Sequence, residues 1–136
     1  MIYLLDTNVC VRYLNGRSPA IKRRLEGTDP GSIALCSVVK GELLFGAVKS
    51  QVPVATMSRL MQFMSAFESY PFDDRCAEVY ARIRADLEKR GLPIGPNDTL
   101  IAATAIARQA TVVTANTREF ARIDGLRWED WEAVGN

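Results

Sequence analysis

The amino-acid sequence predicts an α/β fold in which helices cover both faces of a central parallel sheet. Short, continuous apolar runs of strand length recur along the chain, beginning with residues 1–5 and 33–36. Segments with apolar residues at helical spacing separate these runs. Continuously apolar strands are typical of sheets buried on both faces, and the alternation of strand and helix favours parallel pairing. The 136 residues contain no repeat or linker and indicate one domain, 1–136.

The same patterns place individual elements. The predicted strands are residues 1–5, 33–36, 69–72 and 111–114. Six helices are predicted between these strands. The first follows Asp6, and the second begins at Ser18-Pro19. The other four cover Ser37 to about Lys49, 52–69, 76–87 and Gly95 to Arg108. Asp6 and Ser37 are of residue types that cap helix N-termini, and Gly91 is of the type that follows a helix C-terminus. Short helical and extended pieces complete the chain.

Composition excludes several classes of protein. The chain has no histidine, which excludes Ser-His-Asp and Cys-His catalysis and most zinc and non-haem iron sites. Cys10, Cys36 and Cys76 are widely spaced among apolar neighbours, as buried thiols are in a reducing cytoplasm. No apolar run approaches the roughly 20 residues that cross a bilayer. We expect a cytoplasmic protein without membrane contact, whose chemistry depends on carboxylates, Lys, Arg, hydroxyls or bound cations.

Four acidic residues stand out by their position. Asp6 follows the first strand, Glu42 lies in the helix after the second, Asp98 lies in the first turn of the helix before the last predicted strand, and Glu119 follows that strand. The carboxyl ends of parallel strands and the adjacent helix starts meet at one edge of the sheet, where ligands bind. Several inward carboxylates are tolerable together around a hard divalent cation such as Mg²⁺ or Mn²⁺.

Each acid also has a purely structural interpretation. Asp6 is a good helix N-cap, and Asp98 is a favourable charge in a first helical turn. Glu42 can pair with Lys40 or Lys49, and an isolated glutamate such as Glu119 is by default a solvated surface residue. Their joint placement at one edge favours a site, although spacing alone leaves both interpretations open.

Polar and basic neighbours surround these acids. The hydroxyls and amides predicted at the same edge either cap helices and form turns or orient the carboxylates; they are Thr7, Asn8, Ser37, Thr114 and Asn116. Lys40 and Arg118, with Arg12, lie beside the acids in sequence and are candidates to contact phosphates. If the four acids are set aside, 17 basic residues face 12 acidic ones, an excess of +5. This excess attracts nucleic acid modestly.

Six segments in order carry a resemblance to a known family. They are MIYLLDTN at 1–8, SVVKGEL at 37–43, GA at 46–47, PIGPNDTLIAA at 93–103, VTANTREF at 113–120 and GLRWEDW at 125–131. Over essentially its whole length the chain resembles the PIN-domain ribonucleases, and among them the VapC-type toxins. The resemblance implies a three-layer α/β/α sandwich and an Mg²⁺- or Mn²⁺-dependent endoribonuclease. It assigns the metal-binding and catalytic positions to Asp6, Glu42 and Asp98, and the more variable fourth position to Glu119, with Asn116 as the alternative for that position.

The resemblance also implies partners. Proteins of this type are typically homodimers neutralised by a VapB-type antitoxin, which fills a hydrophobic groove, covers the site and alone makes the contact with DNA. The expected substrate is RNA, in particular a tRNA cut at its anticodon region, with inhibition of translation as the result. Most of the apolar stripe in 52–69, which consists of Met57, Met61, Met64 and Phe67, is assigned to the core, and part of it is expected to line the antitoxin groove. The alternative function is a non-catalytic PIN-like module that binds RNA or protein.

Overall fold

A five-stranded sheet lies at the centre of the computed structural model, which describes residues 1–133. The strands are β1 (Tyr3–Leu5), β2 (Ile33–Cys36), β3 (Glu68–Tyr70), β4 (Thr111–Val113) and β5 (Arg127–Glu129). All neighbouring strands pair in parallel, in the order β3-β2-β1-β4-β5. The central strands are buried because both faces of the sheet are covered, and all four residues of β2 are buried. The predicted α/β class is therefore confirmed.

Seven α-helices flank the sheet within residues 1–133. They are α1 (Thr7–Leu14), α2 (Pro19–Glu26), α3 (Ser37–Val48), α4 (Pro53–Met64), α5 (Asp74–Lys89), α6 (Pro96–Arg108) and α7 (Thr117–Phe120). A single 3-10 turn, Pro30–Ser32, precedes β2. No helix in this part of the chain is long and apolar enough to cross a membrane.

Two helix ends follow the expected capping chemistry. The Asp6 carboxylate accepts a hydrogen bond from the Val9 amide at 2.9 Å and caps α1. At the end of α5, Gly91 has a φ of +68°, a left-handed conformation that glycine adopts without steric cost. The three cysteines are buried and unpaired, as predicted.

The predicted cap at Ser37 is wrong. Ser37 is the first residue of α3, and Cys36, which precedes it, makes no side-chain cap. The Ser37 hydroxyl instead faces the end of β3, where it donates to the Tyr70 carbonyl at 3.5 Å. Because β2 passes directly into α3, the boundary falls one residue earlier than the residue type suggests.

The helix predicted over 52–69 is too long. It ends at Met64, and β3 begins at Glu68, one residue before the predicted start of that strand. Phe67 fits the helical spacing of apolar residues although it lies in a turn after the helix. Its ring packs edge-on against Phe63, with the ring centroids 5.2 Å apart. Met64 is buried, whereas Met61 is 52% exposed, so the predicted stripe is only partly core.

Candidate active site

Asp6 is the most buried acid at the carboxyl edge of the sheet. It follows β1 directly and is 5% exposed. Burial raises the pKa of its carboxyl group, and repulsion from Glu42 and Asp130 raises this pKa further. Hydrogen bonds from the Thr114 hydroxyl and the Val9 amide act in the opposite direction. Asp6 is thus held in place by its helix cap within a field of other acids.

Glu42 approaches the same edge from α3. The Thr7 hydroxyl, on the first residue of α1, donates to Glu42 Oε1 at 2.6 Å. This short bond fixes the carboxylate between α1 and α3. Within residues 1–133, Glu42 forms no ion pair with Lys40 or Lys49, the partners that its structural interpretation requires.

Asp98 and Glu119 share one amide donor. Asn116 Nδ2 donates to Asp98 Oδ2 at 2.9 Å and also donates to Glu119 Oε2. The backbone amide of Gly95 donates to Glu119 Oε1 at 2.9 Å. The buried Thr114 hydroxyl accepts a hydrogen bond from the backbone amide of Asn116 at 2.9 Å and holds this loop against the end of β4. The start of α6 and the loop before α7 are therefore connected through the two acids.

The pKa values of Asp98 and Glu119 are shifted in opposite directions. Burial raises the pKa of Asp98 to about 6; repulsion from Glu119 and Asp6 adds to this shift, and the Asn116 hydrogen bond opposes it. The pKa of Glu119 is lowered by its hydrogen bonds from Asn116 and Gly95. Near neutral pH both carboxylates are therefore largely ionised, and Asp98 is ionised at a cost.

The structure brings all four predicted acids into electrostatic contact. Asp6 interacts with Glu42 and Asp98, and Asp98 interacts with Glu119. No Lys or Arg within residues 1–133 forms an ion pair with any of the four. The Arg122 charge lowers the pKa of Glu119 without an ion pair, so the described chain offsets the negative charge of this edge only in part.

The other predicted site residues divide into two groups. Thr7, Thr114 and Asn116 donate to the acids, as described above. Asn8 and Ser37 are exposed, and neither has a hydrogen bond to a site carboxylate among the described residues. The described contacts therefore give neither residue a part in holding the acids.

The neighbouring basic residues also differ in their environment. Lys40 is half-buried on α3 and Arg118 is exposed on α7, and neither forms an ion pair within residues 1–133. Arg12 is instead committed to Glu132, to which it donates at 2.7 and 3.0 Å. The prediction that Arg12 is a candidate for phosphate contact is therefore not supported by its contacts.

Sequence reasoning missed Asp130. It follows β5 as Asp6 follows β1, and its charge raises the pKa of Asp6. Its Oδ1 accepts the Glu132 amide hydrogen at 2.9 Å. The strand before it reads Arg-Trp-Glu and is largely exposed, so it lacks the apolar signal that located the other site strands. Without that strand, nothing in the sequence placed Asp130 at this edge.

The donor set suits a hard cation, although it is not arranged around one. The available ligands are carboxylate and amide oxygens, which Mg²⁺ and Mn²⁺ prefer. Among residues 1–133, no three His, Cys, Asp or Glu side chains already form a group that could hold an ion. The hydrogen bonds from Thr7 to Glu42 and from Gly95 to Glu119 hold these two glutamates in their present positions. A cation would compete with these bonds for the carboxylates.

Comparison with known proteins identifies the family. The model of the PIN domain family matches residues 3–126. The chain belongs to the PIN domain family. It is 42% identical over 133 residues to Ribonuclease VapC2 of Rickettsia felis, covering 97% of this chain and 99% of that protein. It is 37% identical to the tRNA(fMet)-specific endonuclease VapC of Shigella flexneri, covering 95% of this chain and 97% of that one.

A solved structure supports the same assignment. The crystal structure of VapBC2 from Rickettsia felis, bound to a DNA fragment from their promoter, contains a chain that matches this PIN domain with a TM-score of 0.90 and 42% identity. The match covers 96% of this chain and 99% of that one. The predicted resemblance to VapC-type PIN domains and the predicted α/β/α fold are therefore confirmed.

Proposed function

We propose that this VapC-type PIN domain is a divalent-cation-dependent endoribonuclease and the toxin of a toxin–antitoxin pair. The observation that carries the proposal is the cluster of four acids at one edge of the sheet, none of which forms an ion pair within residues 1–133. Burial raises the pKa of both Asp6 and Asp98, and Glu42 and Glu119 add negative charge beside them. Such an arrangement is costly for the free protein and favourable for binding a cation. The names of the relatives, which are ribonucleases and endonucleases, support this function.

The four acids are the proposed cation ligands, and neighbouring polar side chains hold them in place. Asp6 and Asp98 would hold Mg²⁺ or Mn²⁺, with Glu42 and Glu119 completing the site. When bound, the cation would activate water for attack on a phosphodiester and stabilise the charge that develops. Asn116 Nδ2 donates one hydrogen bond to each of Asp98 and Glu119 and leaves their remaining lone pairs available. Thr7 does the same for Glu42.

Substrate binding would use the basic residues that have no acidic partner. Lys40 and Arg118 form no ion pair within residues 1–133, lie close to Glu42 and Glu119 in the sequence, and would contact the RNA backbone. With a net charge of only +1, the chain is not suited to bind long duplexes tightly. The base edges of an A-form helix are also hidden in a narrow groove, whereas a single-stranded loop presents them.

These arguments favour a structured RNA cut at a loop, and we propose a tRNA cut at its anticodon region. The Shigella flexneri relative is named as specific for tRNA(fMet). The test is to map 5′-phosphate ends across the transcriptome after brief induction of the wild type and of Asp98→Asn. One dominant tRNA cut that is absent in the variant supports the proposal. Cuts scattered over messages, with tRNAs intact, overturn the tRNA target.

The nuclease activity is tested with purified protein and a labelled RNA. Cleavage should require Mg²⁺ or Mn²⁺, stop in EDTA and leave 5′-phosphate and 3′-hydroxyl ends. Asp98→Asn should remain folded and inactive, whereas Asp124→Asn, which removes an exposed acid, should cut as the wild type does. Undiminished cutting in EDTA overturns the cation mechanism. RNA binding without cleavage at any cation concentration favours the non-catalytic binding module.

An apolar groove beside the acid edge supports an antitoxin partner. It lies between α1, α3 and α4 and has a volume of about 400 Å³. Its apolar lining consists of Val11, Leu14, Leu43, Gly46, Ala47 and Leu60. Glu42 also lines this groove, so a chain bound in it would reach the acid site. We propose that a segment of a VapB-type antitoxin fills the groove and blocks the acids, and that contact with DNA is made through that partner.

The groove is tested by Val11→Asp, since Val11 is 39% exposed and tolerates a polar group without loss of the core. Leu92→Asp is the matched control, because Leu92 has the same exposure and lies outside the groove. In co-expression with the proposed VapB-type antitoxin, Val11→Asp should lose the partner and keep RNA cleavage. Hydrogen exchange of α1 and α4 should slow in the wild-type complex. Equal partner binding by the two variants overturns the groove assignment.

We also propose that the free protein is a homodimer. The proposal derives from the family resemblance. Light scattering coupled to gel filtration measures the mass directly, and a monomer mass at micromolar concentration would overturn it.

A further inference from the structure

A second cavity lies between α5 and the start of α6. Its volume is about 250 Å³, and its walls come from Tyr80, Arg84, Leu87, Pro93, Ile94 and Pro96. The two helices are antiparallel, since Asp73 at the start of α5 lies 3.9 Å from Arg108 at the end of α6. The end of α5 and the start of α6 are therefore at the same end of the molecule as Asp98.

The cavity is connected to the acid site through one short loop. Thr99, which lines the cavity, donates from its hydroxyl to the Gly95 carbonyl at 3.0 Å. The Gly95 amide donates to Glu119 on the other side. Two lining residues, Pro96 and Thr99, flank Asp98 in the sequence. A group bound in the cavity would contact the loop that holds two of the proposed cation ligands.

The side chains of the cavity suit a flat, neutral ring. Tyr80 is half-buried, and its ring is braced edge-on by Phe72 at a centroid distance of 6.3 Å. Arg84 donates to the Tyr80 hydroxyl and to Glu88, each at 3.0 Å. The Arg84 charge is thus balanced by Glu88, which also lines the cavity, and the phenol proton is left to donate. The negative charge of Glu88 would repel a phosphate in this cavity, whereas it would not repel an uncharged aromatic group.

We infer that this cavity binds one unstacked base of the RNA strand whose phosphate lies at the acid site. The inference rests on the proposed ribonuclease function and adds a position where the substrate base is recognised. Sites for whole small molecules have volumes of about 300–1,000 Å³, so this smaller cavity fits a single ring system. Aromatic stacking and hydrogen bonds to base edges are the usual means of recognising unpaired RNA.

The inference is tested with the RNA stem–loop that the wild type cuts, in versions that lack one base at successive positions around the cut. For the wild type, one abasic position should raise KM by roughly five- to a hundredfold, the range expected for loss of one stacked base. Tyr80→Leu should show the raised KM with the intact RNA and no further penalty at that position. Tyr80→Phe keeps the ring and should retain the penalty.

One control variant and one second variant of the cavity accompany this test. Trp128→Leu removes a 38% exposed aromatic ring from β5 and should leave the abasic profile unchanged. Arg84→Ala changes an exposed residue and should reduce the abasic penalty, which provides a second test if Tyr80→Leu fails to fold. If RNA is cut but the penalty is the same in the wild type, Tyr80→Leu and Arg84→Ala, the base site is wrong and the nuclease function stands. A change in oligomeric state without a change in the abasic profile also overturns the base site.

Discussion

Replacement of Asp98 by Asn should stabilise the cation-free protein and abolish RNA cleavage. In the folded protein the pKa of Asp98 is raised from 3.8 to about 6, chiefly by burial and by the nearby Glu119. The folded carboxyl group therefore binds its proton more tightly than the unfolded one. Its contribution to stability is greatest below about pH 4 and is lost as the pH rises through about 6. The asparagine side chain of the variant is neutral at every pH and avoids this loss.

The size of the effect follows from the shift. At about 1.4 kcal/mol for each pKa unit, a shift from 3.8 to about 6 corresponds to an upper limit of about 3 kcal/mol at pH 7.5. Coupling to Glu119 and screening by solvent at this partly exposed group reduce this value, and we expect Asp98→Asn to gain about 1–3 kcal/mol in free energy of unfolding. For a chain of this length the gain corresponds to about 3–10 °C in Tm.

The assay is urea and thermal unfolding in EDTA at pH 4.5 and pH 7.5. The difference between Asp98→Asn and the wild type should be small at the lower pH and large at the higher one. Added Mg²⁺ or Mn²⁺ should raise the Tm of the wild type and not that of the variant. Asp124→Asn is the control for removal of an exposed acid. The reasoning is refuted if Asp98→Asn is less stable than the wild type at pH 7.5, or if its gain does not depend on pH.

Three further experiments test the acids and the groups around them. Thr7→Val removes the 2.6 Å hydrogen bond to Glu42 and should lower cleavage about 10- to 100-fold without unfolding, as measured by initial rates and circular dichroism. Glu119→Gln should reduce cleavage or change its cation dependence more than Asn116→Ala does; the opposite order would show that the fourth position is assigned to the wrong residue. Asp130→Asn removes one source of repulsion at the edge and should weaken Mn²⁺ binding measured by calorimetry, and unchanged affinity would place Asp130 outside the cation site.

The strands that the sequence predicted well are those with a strong burial signal. Residues 33–36 and 111–113 are apolar enough to be recognised, and both form central strands. β5 is an edge strand with an exposed Arg-Trp-Glu sequence, and its pairing with β4 depends on tertiary contacts that no local pattern records. Asp130 was missed because the sequence did not predict the strand that precedes it.

Within the site, the positions of the acids were predictable and their contacts were not. Parallel pairing of β1 and β4 brings the end of β1, with Asp6, and the start of the helix before β4, with Asp98, to one edge. By contrast, the shared amide of Asn116 and the backbone donor at Gly95 depend on the conformation of two loops far apart in sequence. The sequence marked Glu119 and Asn116 as competing candidates, whereas the structure joins them by a hydrogen bond.

Asp6 shows why the structural and functional interpretations of an acid need not exclude each other. Its carboxylate caps α1 through Val9, which is the structural role, and the same bond fixes it at 5% exposure beside Glu42. A carboxylate tied to a helix end cannot swing into solvent to escape its neighbours, so its repulsion persists in the folded protein. Helix capping offsets part of that cost, and a bound cation would offset more. The cap is therefore the means by which the sequence keeps a buried carboxyl group at the edge of the sheet.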